Sequence, residues 1–182
     1  MKLLKMKRGK NILNVYRLYL KAFPKSERKP FPFILLRQWK GTTEVLVIKN
    51  NNGDFLGMAI SVIHSNLVLL AYFAISDNQR GEGIGSKAFQ MLKERYKEKK
   101  FFLEIENTGV SEAPNINQRI KRKDFYLKNG MIELPFIIDF FGTEMEIMIN
   151  NLPLTFNEYH SIYKKEFGNY ISRKVKFVKY KK

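Results

Sequence analysis

Residues Ala71–Met91 read AYFAISDNQRGEGIGSKAFQM, and this stretch decides the fold. An apolar, strand-like run leads into Arg80–Gly85, where glycines occupy every second position, and a helical pattern begins at once. Alternating glycines let the backbone curl so that its N–H groups point into one concavity. The following helix adds N–H donors and the positive end of its dipole. The stretch predicts a loop that binds phosphate or pyrophosphate, and a flexible strand–helix turn is the alternative.

The glycine spacing excludes two other phosphate-binding motifs. The pattern G-x-G-x-G differs from the G-x-G-x-x-G of dinucleotide-binding proteins, and no Lys-Ser or Lys-Thr pair completes a P-loop. The loop therefore belongs to neither of these classes.

Around this stretch the pattern changes from hairpins to alternating strands and helices. Upstream, apolar periodicity predicts helices over 11–23 and 33–39 and strands over 3–6, 45–49, 55–64 and 67–76. Downstream it predicts a helix from Ile84, a strand over 101–106, a helix over 114–128 and a hairpin of 131–140 with 144–149. This order indicates a mixed α/β fold with a central, mostly antiparallel sheet and helices on both faces.

Length and composition restrict the function classes. The chain has 182 residues, 45% of them apolar, and no cysteine, which excludes disulfide frameworks, zinc-thiolate sites and cysteine nucleophiles. Its longest apolar runs, such as Leu67–Ile75, fall far short of the ~20 residues that a membrane span needs. No secretory signal is recognised at the N-terminus. We expect a cytoplasmic protein with no membrane partner and no metal.

The formal net charge of +16 is concentrated at the two ends of the chain. Residues 1–50 carry +11, residues 51–166 carry −1 and residues 167–182 carry +6. Basic ends favour an anionic partner such as nucleic acid, an acidic surface or a phosphorylated cofactor, and solvated lysines are the alternative. Aromatic residues in 170–182 are more typical of an edge strand than of base stacking, and no groove-reading or RNA-binding motif is present.

Two segments resemble motifs of the GNAT N-acetyltransferase superfamily. Arg80–Gly85 is similar to its R-x-x-G-x-G/A signature, and Phe125–Met131 is similar to its F-Y-x-x-x-G-F segment. The order of elements over 1–150 also resembles the family. The resemblance implies a sheet that splays between strands 4 and 5, with acetyl-CoA as co-substrate and no resident metal.

The resemblance also implies positions for the co-substrate. Its pyrophosphate is expected on the loop formed by Arg80, Gly81, Glu82, Gly83, Ile84, Gly85 and Ser86. Its pantetheine arm is expected to pair with the backbone of Phe73, Ala74 and Ile75. Tyr126 matches the family tyrosine that protonates the departing thiolate, and packing at a helix end is the alternative for this residue.

Transfer to an amine needs a neutral nitrogen, so a base or a water chain is expected as well. A lysine-like amine has a pKa of ~10.4, and removing its proton at pH 7 costs ~4.6 kcal/mol. Glu104 and Glu106 lie on one face of the predicted strand 101–106, which borders the acceptor site in the family. Solvated or ion-paired carboxylates are the alternative, and Tyr72 is a further candidate of lower weight.

The sequence departs from the family pattern on the helix before Tyr126. Arg119 and Arg122 stand where the widespread N-x-x-A-x-x-F-Y motif has Asn and Ala, which places a basic strip on that helix. This strip would neutralise a CoA phosphate or face water. Leu69 falls where some protein-acetylating members carry a glutamate base, so their mechanism does not transfer directly.

Residues 151–182 exceed a minimal family domain. We expect a GNAT domain over 1–150 and a capped C-terminal helix with a basic tail, packed on the same domain, over 151–182. The spacing of Thr155 and Glu158 predicts a capping box at the start of that helix, whose apolar stripe runs until Gly168. This extension would cover the acceptor site, form a homodimer contact or bind an anionic partner. The expected function is acetyl-CoA-dependent transfer to a primary amine of an unidentified acceptor. A nucleic-acid-binding module and a CoA-binding protein without turnover are the alternatives.

Overall fold

The computed structural model describes residues 1–7, 9, 11–79, 83–150 and 152–181. The strands are β1 (Lys2–Lys5), β2 (Thr43–Lys49), β3 (Phe55–His64), β4 (Leu67–Ile75), β5 (Lys100–Glu106), β6 (Ile132–Phe140), β7 (Thr143–Ile149) and β8 (Val175–Tyr180). The helices are α1 (Ile12–Ala22), α2 (Phe31–Trp39), α3 (Ile84–Arg95), α4 (Ile116–Lys128) and α5 (Phe156–Ser172). The predicted mixed α/β architecture is confirmed.

The strands form a mixed sheet in the order β1-β2-β3-β4-β5-β7-β6-β8. The pairs β1–β2, β2–β3, β5–β7, β7–β6 and β6–β8 are antiparallel, and β4 runs parallel to β5. The parallel pairing joins Leu67–Leu69 to Lys100–Phe102, although β4 continues to Ile75 and β5 to Glu106. A short pairing of this kind agrees with the splay expected between strands 4 and 5.

The chain divides into two compact units. The first unit contains residues 1–63 and 70–95, so it holds β1–β3, most of β4 and helices α1–α3. One of its cores packs α1 and α2 on Val45, Val47, Met58 and Ile60, and another packs Ala88 of α3 with Ile48, Leu56 and Ile75. Apolar residues at both odd and even positions of β2 are buried, because helices cover both faces of this part of the sheet.

The second unit contains residues 64–69 and 96–182. Its strands β5, β7, β6 and β8 carry α4 and α5, and β8 lies at the sheet edge as its aromatic pattern predicts. Thr155 and Glu158 form the predicted capping box, in which the Glu158 N–H donates to Thr155 Oγ1 and the Thr155 N–H donates to Glu158 Oε2. As predicted, the regular helix is interrupted at Gly168 (φ 82°, ψ 173°), and a further helical segment continues to Ser172.

Across the described residues, no helix is long and apolar enough to cross a bilayer.

Candidate active site

Helix α3 begins where the sequence predicts a phosphate-binding loop. Gly83 has a φ of +70°, in the left-handed region that favours glycine, and its carbonyl accepts the Lys87 N–H at 3.0 Å. The first backbone hydrogen bond of the helix therefore starts at Gly83. In any α-helix, the N–H groups of the first turn have no carbonyl acceptor within the helix. Arg80, Gly81 and Glu82 lie outside the described residues, so these three assignments stay predictions.

The space beside Gly83 suits an anionic group. A Cβ built on Gly83 meets no described atom within 4 Å, and the first turn of α3 contains no acidic residue. A side chain at position 83 would therefore project into space that the described protein atoms leave open. Both features fit a phosphate, because its charge meets the positive end of the helix dipole and no carboxylate repels it from that turn. The assignments of Ile84, Gly85 and Ser86 to the same loop also stay predictions.

The strand end that precedes the loop is closely packed. Phe73 packs its ring 5.9 Å from that of Phe89 on α3, and Ala74 and Ile75 are buried. The Ala74 carbonyl lies 2.4 Å from the position of a Cβ on Gly57, so only glycine fits at residue 57 without a shift of the backbone. These contacts hold the backbone of 73–75 in a defined place. Its pairing with a pantetheine arm stays a prediction.

Tyr126 lies near the C-terminal end of α4 and is partly buried. Burial raises the pKa of Tyr126 to about 12, and the charge of Arg122 opposes part of that increase. The Phe125 ring stands edge-on to the Tyr126 ring at 5.2 Å, and the Tyr126 carbonyl accepts the Met131 N–H at 3.0 Å. The hydroxyl is therefore protonated throughout the physiological pH range, as a proton donor requires.

Glu106 is the centre of an ion-pair network at the end of β5. Its Oε1 accepts from Arg119 at 2.8 Å, and its Oε2 accepts from the Asn115 side chain at 3.0 Å and lies 3.6 Å from Arg122 Nη1. Arg119 also donates to the Asn107 carbonyl at 3.1 Å. The arginines that replace the family residues on α4 thus pair with a carboxylate, rather than simply facing water.

Lys123 of the same helix belongs to a second, buried charge cluster. Its Nζ lies 2.9 Å from both Glu133 and Glu146, and Lys181 of the C-terminal tail contacts the same two carboxylates. Glu146 is 1% exposed, so this cluster supplies the cations that a buried carboxylate needs. The cluster thereby ties residue 181 to β6 and β7.

Glu104 is bound by two tyrosines that the sequence did not identify as site residues. Its Oε1 accepts the Tyr159 hydroxyl at 2.5 Å and also the Tyr163 hydroxyl. Both tyrosines are almost fully buried on α5, and burial beside Glu104 raises the pKa of Tyr159 well above its ordinary value. The available signal was the pair of tyrosines four residues apart on an apolar stripe, because a buried tyrosine hydroxyl requires a partner.

Glu104 and Glu106 therefore share a face of β5 but have different surroundings. Leu103 before them and Ile105 between them are buried on the opposite face, which confirms the predicted alternation. The partners of Glu104 come from α5, whereas those of Glu106 come from α4. The ion-paired alternative describes Glu106 well, and Glu104 is held by hydroxyl groups instead.

Tyr72 has a structural role in the first unit. Its hydroxyl donates to the Glu27 carbonyl at 2.8 Å and accepts the Lys29 N–H at 3.2 Å. Burial raises the pKa of Tyr72, and its ring packs edge-on against Tyr19 and Phe23 at 4.9 Å. Tyr72 thus binds the connection between α1 and α2. These hydrogen bonds satisfy its hydroxyl group, so its presence does not require a catalytic role.

Comparison with known proteins places these features in a family. The model of the acetyltransferase (GNAT) family matches residues 12–117, more than half of the chain. No curated protein sequence matches the chain significantly. The chain therefore belongs to the GNAT acetyltransferase family.

Solved structures share the fold at low sequence identity. A GNAT-family protein from Bacteroides thetaiotaomicron is 16% identical, with a TM-score of 0.73 over 94% of this chain and 99% of that one. A GNAT acetyltransferase from Elizabethkingia anophelis, solved with acetyl-CoA bound, is 17% identical, with a TM-score of 0.58 over 83% of this chain and 97% of that one. A spermidine N-acetyltransferase from Vibrio cholerae, solved with CoA and spermine, is 12% identical, with a TM-score of 0.63 over 81% of this chain and 93% of that one.

Proposed function

We propose that the chain is an acetyl-CoA-dependent N-acetyltransferase that moves the acetyl group to a primary amine of its acceptor by direct attack. Family membership supports the reaction class. The observation that carries the proposal is the partly buried Tyr126 beside Phe125 near the end of α4, the position at which the family resemblance expects the proton donor. Residues 1–150 form the acetyltransferase domain in this proposal, and 151–182 are its C-terminal extension.

The residues at the start of α3 fit the proposed co-substrate. Acetyl-CoA supplies an activated acetyl group as a thioester and carries phosphates that need hydrogen-bond donors. The open space beside Gly83 and the acid-free first turn of α3 suit these phosphates. The loop from Arg80 to Ser86 would hold the pyrophosphate, and the backbone of 73–75 would hold the pantetheine arm.

Tyr126 would assist the departure of the thiolate. Attack by the neutral amine forms the C–N bond and breaks the C–S bond, after which the amine loses a proton to the base and the sulfur gains one from solvent. The Tyr126 hydroxyl would donate a hydrogen bond to that sulfur as it leaves. Because its pKa of about 12 exceeds the ~8.5 of an ordinary thiol, its main contribution is a hydrogen bond that stabilises the developing negative charge.

A carboxylate at the end of β5 would accept the proton of the acceptor amine. Glu106 is the first candidate, because its side chain lies at the end of β5 and retains 19% exposure beside Arg119 and Arg122. Water can therefore reach it and relay the proton. Glu104 is the second candidate, and its bonds to Tyr159 and Tyr163 make it the more rigidly held of the two.

The acceptor is proposed only as a primary amine. The Vibrio cholerae enzyme shares the fold and was solved with spermine, which makes polyamines one class to test. The formal net charge of +16 disfavours the approach of polycations to this protein. An acceptor with fewer positive charges, or one whose other groups are acidic, suits this protein better.

The experiment combines binding with turnover. Acetyl-CoA should raise the melting temperature of the protein, and release of free thiol should depend on one member of an amine panel that includes polyamines, amino acids and peptide N-termini. Tyr126→Phe should retain the thermal shift and lose ~10²–10⁴-fold in turnover. Tyr170→Phe is the matched control, because Tyr170 is 69% exposed.

Each alternative function predicts a different result. Thermal shift without thiol release from any amine would indicate a CoA-binding protein without turnover. Salt-sensitive retention on DNA or RNA, without a thermal shift from acetyl-CoA, would indicate a nucleic-acid-binding module. A Tyr126→Phe enzyme as fast as the wild type would show that Tyr126 only packs at the helix end.

A further inference from the structure

Helices α1 and α2 present apolar side chains to solvent as well as to the core. We call this exposed set the outward face, and it consists of Leu13, Tyr16 and Leu20 of α1 with Phe33, Leu36 and Trp39 of α2. Each helix contributes residues spaced by three or four positions, which places them along one side of that helix. The contact of Tyr16 with Phe31, at 5.0 Å between ring centroids, joins the two helices. The two helices therefore touch through Tyr16 of the outward face and the buried Phe31 at the start of α2.

The outward face is separate from the side that forms the core. Val15, Leu18 and Tyr19 of α1 and Phe31 and Ile34 of α2 are buried, so each helix already has an apolar side turned inward. A surface helix normally turns polar residues to water on its other side. Trp39 is instead 71% exposed and Leu13 is 63% exposed. Exposed apolar side chains at helical spacing on two helices that touch indicate a surface that something else covers.

The charges around the outward face are predominantly positive. Residues 11–41 contain seven Lys and Arg residues and a single acidic residue, Glu27. Arg17, Lys25 and Lys40 are exposed beside the apolar side chains, and Lys21 pairs with Asp77 at 2.6 Å while 70% exposed. This rim complements an anionic surface. It opposes a second copy of the same face, because the two positive rims would repel each other.

We propose that the outward face is a binding site for the surface of an anionic lipid membrane. Exposed Leu, Phe and Trp side chains enter the boundary between headgroups and acyl chains, and the surrounding Lys and Arg residues contact acidic headgroups. Trp39 carries this argument furthest, because an indole places its ring in the apolar layer and its N–H at the headgroups. The sequence-based expectation of no membrane partner rested on the lack of a spanning segment, which surface binding does not need.

The first experiment uses Trp39 as its own reporter, because it is the only tryptophan in the sequence. The emission of the whole protein should shift to the blue on addition of vesicles containing 30% phosphatidylglycerol in phosphatidylcholine. It should remain unchanged with pure phosphatidylcholine vesicles, and 0.5 M NaCl should reverse the shift. Lipids brominated at shallow acyl positions should quench the emission.

Matched double variants test which residues bind. Leu20→Ser/Leu36→Ser removes two side chains of the outward face that are 41% and 46% exposed, and it retains Trp39 as reporter. The control is Ile120→Ser/Leu127→Ser on α4, where the side chains are 44% and 42% exposed. We expect at least tenfold weaker partitioning into anionic vesicles for the first variant, and wild-type partitioning for the control.

Several outcomes would overturn the proposal. One is an absence of any blue shift of the wild-type protein with anionic vesicles, and another is an equal shift with neutral vesicles. A blue shift that grows with protein concentration without lipid, together with a dimer in sedimentation, would assign the face to a second copy. Equal partitioning of the two double variants would move the binding site elsewhere. The wild-type measurements remain decisive even if the first variant does not fold.

Discussion

Removing the two tyrosine hydroxyls that bind Glu104 tests whether α5 is an integral part of the structure around β5. Tyr159→Phe and Tyr163→Phe retain the rings and each removes one donor to the same carboxylate oxygen. Both side chains are at most 1% exposed, so water does not readily replace the lost donor. A hydrogen bond to a charged group contributes about 1.5–3 kcal/mol, and each variant should lose an amount in that range.

The double variant should be more severe. Without either hydroxyl, Glu104 keeps its charge in a half-buried position and loses both donors, so we expect about 3–5 kcal/mol of destabilisation. Urea unfolding followed by circular dichroism measures the free energy of unfolding of each variant. Tyr170→Phe, at an exposed position of the same helix, should remain within about 0.5 kcal/mol of the wild type. If the Tyr159 and Tyr163 variants lost no more unfolding free energy than Tyr170→Phe, the reasoning would be refuted.

The pH dependence gives an independent check of the same contact. Burial beside Glu104 raises the pKa of Tyr159 above the value of ~10 for an unfolded tyrosine. Between these two values the folded state binds the proton that the unfolded state has lost, so stability falls as the pH rises above about 10. Tyr159→Phe should reduce this slope in unfolding measured between pH 9 and 11.

Three further predictions concern the loop, the ion pair and the sheet. Gly83→Val places a branched side chain in the open space before α3 and should weaken acetyl-CoA binding at least tenfold. This corresponds to about 1.4 kcal/mol in a calorimetric titration. A variant with wild-type affinity would show that the loop is not part of the binding site. Glu106→Gln should lower turnover by ~10²–10⁴-fold, and Arg119→Met, which breaks the same ion pair but retains the carboxylate, should lower it much less. Equal losses would mean that Glu106 is structural. Gly57→Ala should cost about 1–3 kcal/mol in urea unfolding, because its Cβ would lie 2.4 Å from the Ala74 carbonyl, and an unchanged stability would show that the two strands separate easily.

The parts of the fold that depend on local pattern were predicted well. Apolar periodicity located α1, α4 and the hairpin of β6 and β7 to within a few residues, and the spacing of Thr155 and Glu158 predicted their capping box. Each of these features depends on neighbours within about one turn of helix or one hairpin. The interruption at Gly168 was predicted as well, because a helix-ending glycine is a local signal, whereas the further helical segment to Ser172 was not.

The surroundings of the candidate carboxylates could not be predicted, because they depend on contacts distant in the sequence. Glu104 meets tyrosines 55 and 59 residues away, and Glu106 meets Arg119, 13 residues away on another element. A strand pattern states which side chains share a face, but not which helix covers that face. The same limit applies to Tyr72, whose polar group suggested chemistry until its bonds to the backbone of 27 and 29 were known.

The sequence by itself determined the family, the order of the elements and the position of the glycine loop. Two short motifs and the succession of strand, loop and helix are local properties of the chain, so they can be recognised without the tertiary structure. The tertiary structure decided which titratable groups meet. It placed Tyr159 and Tyr163 on Glu104, Arg119 on Glu106, and Lys181 on Glu133 and Glu146. It also left the apolar residues of α1 and α2 exposed. The pairing of charged groups and the exposure of side chains depend on how helices and strands pack. That packing brings together residues that are distant in the sequence, so no local pattern predicts their contacts.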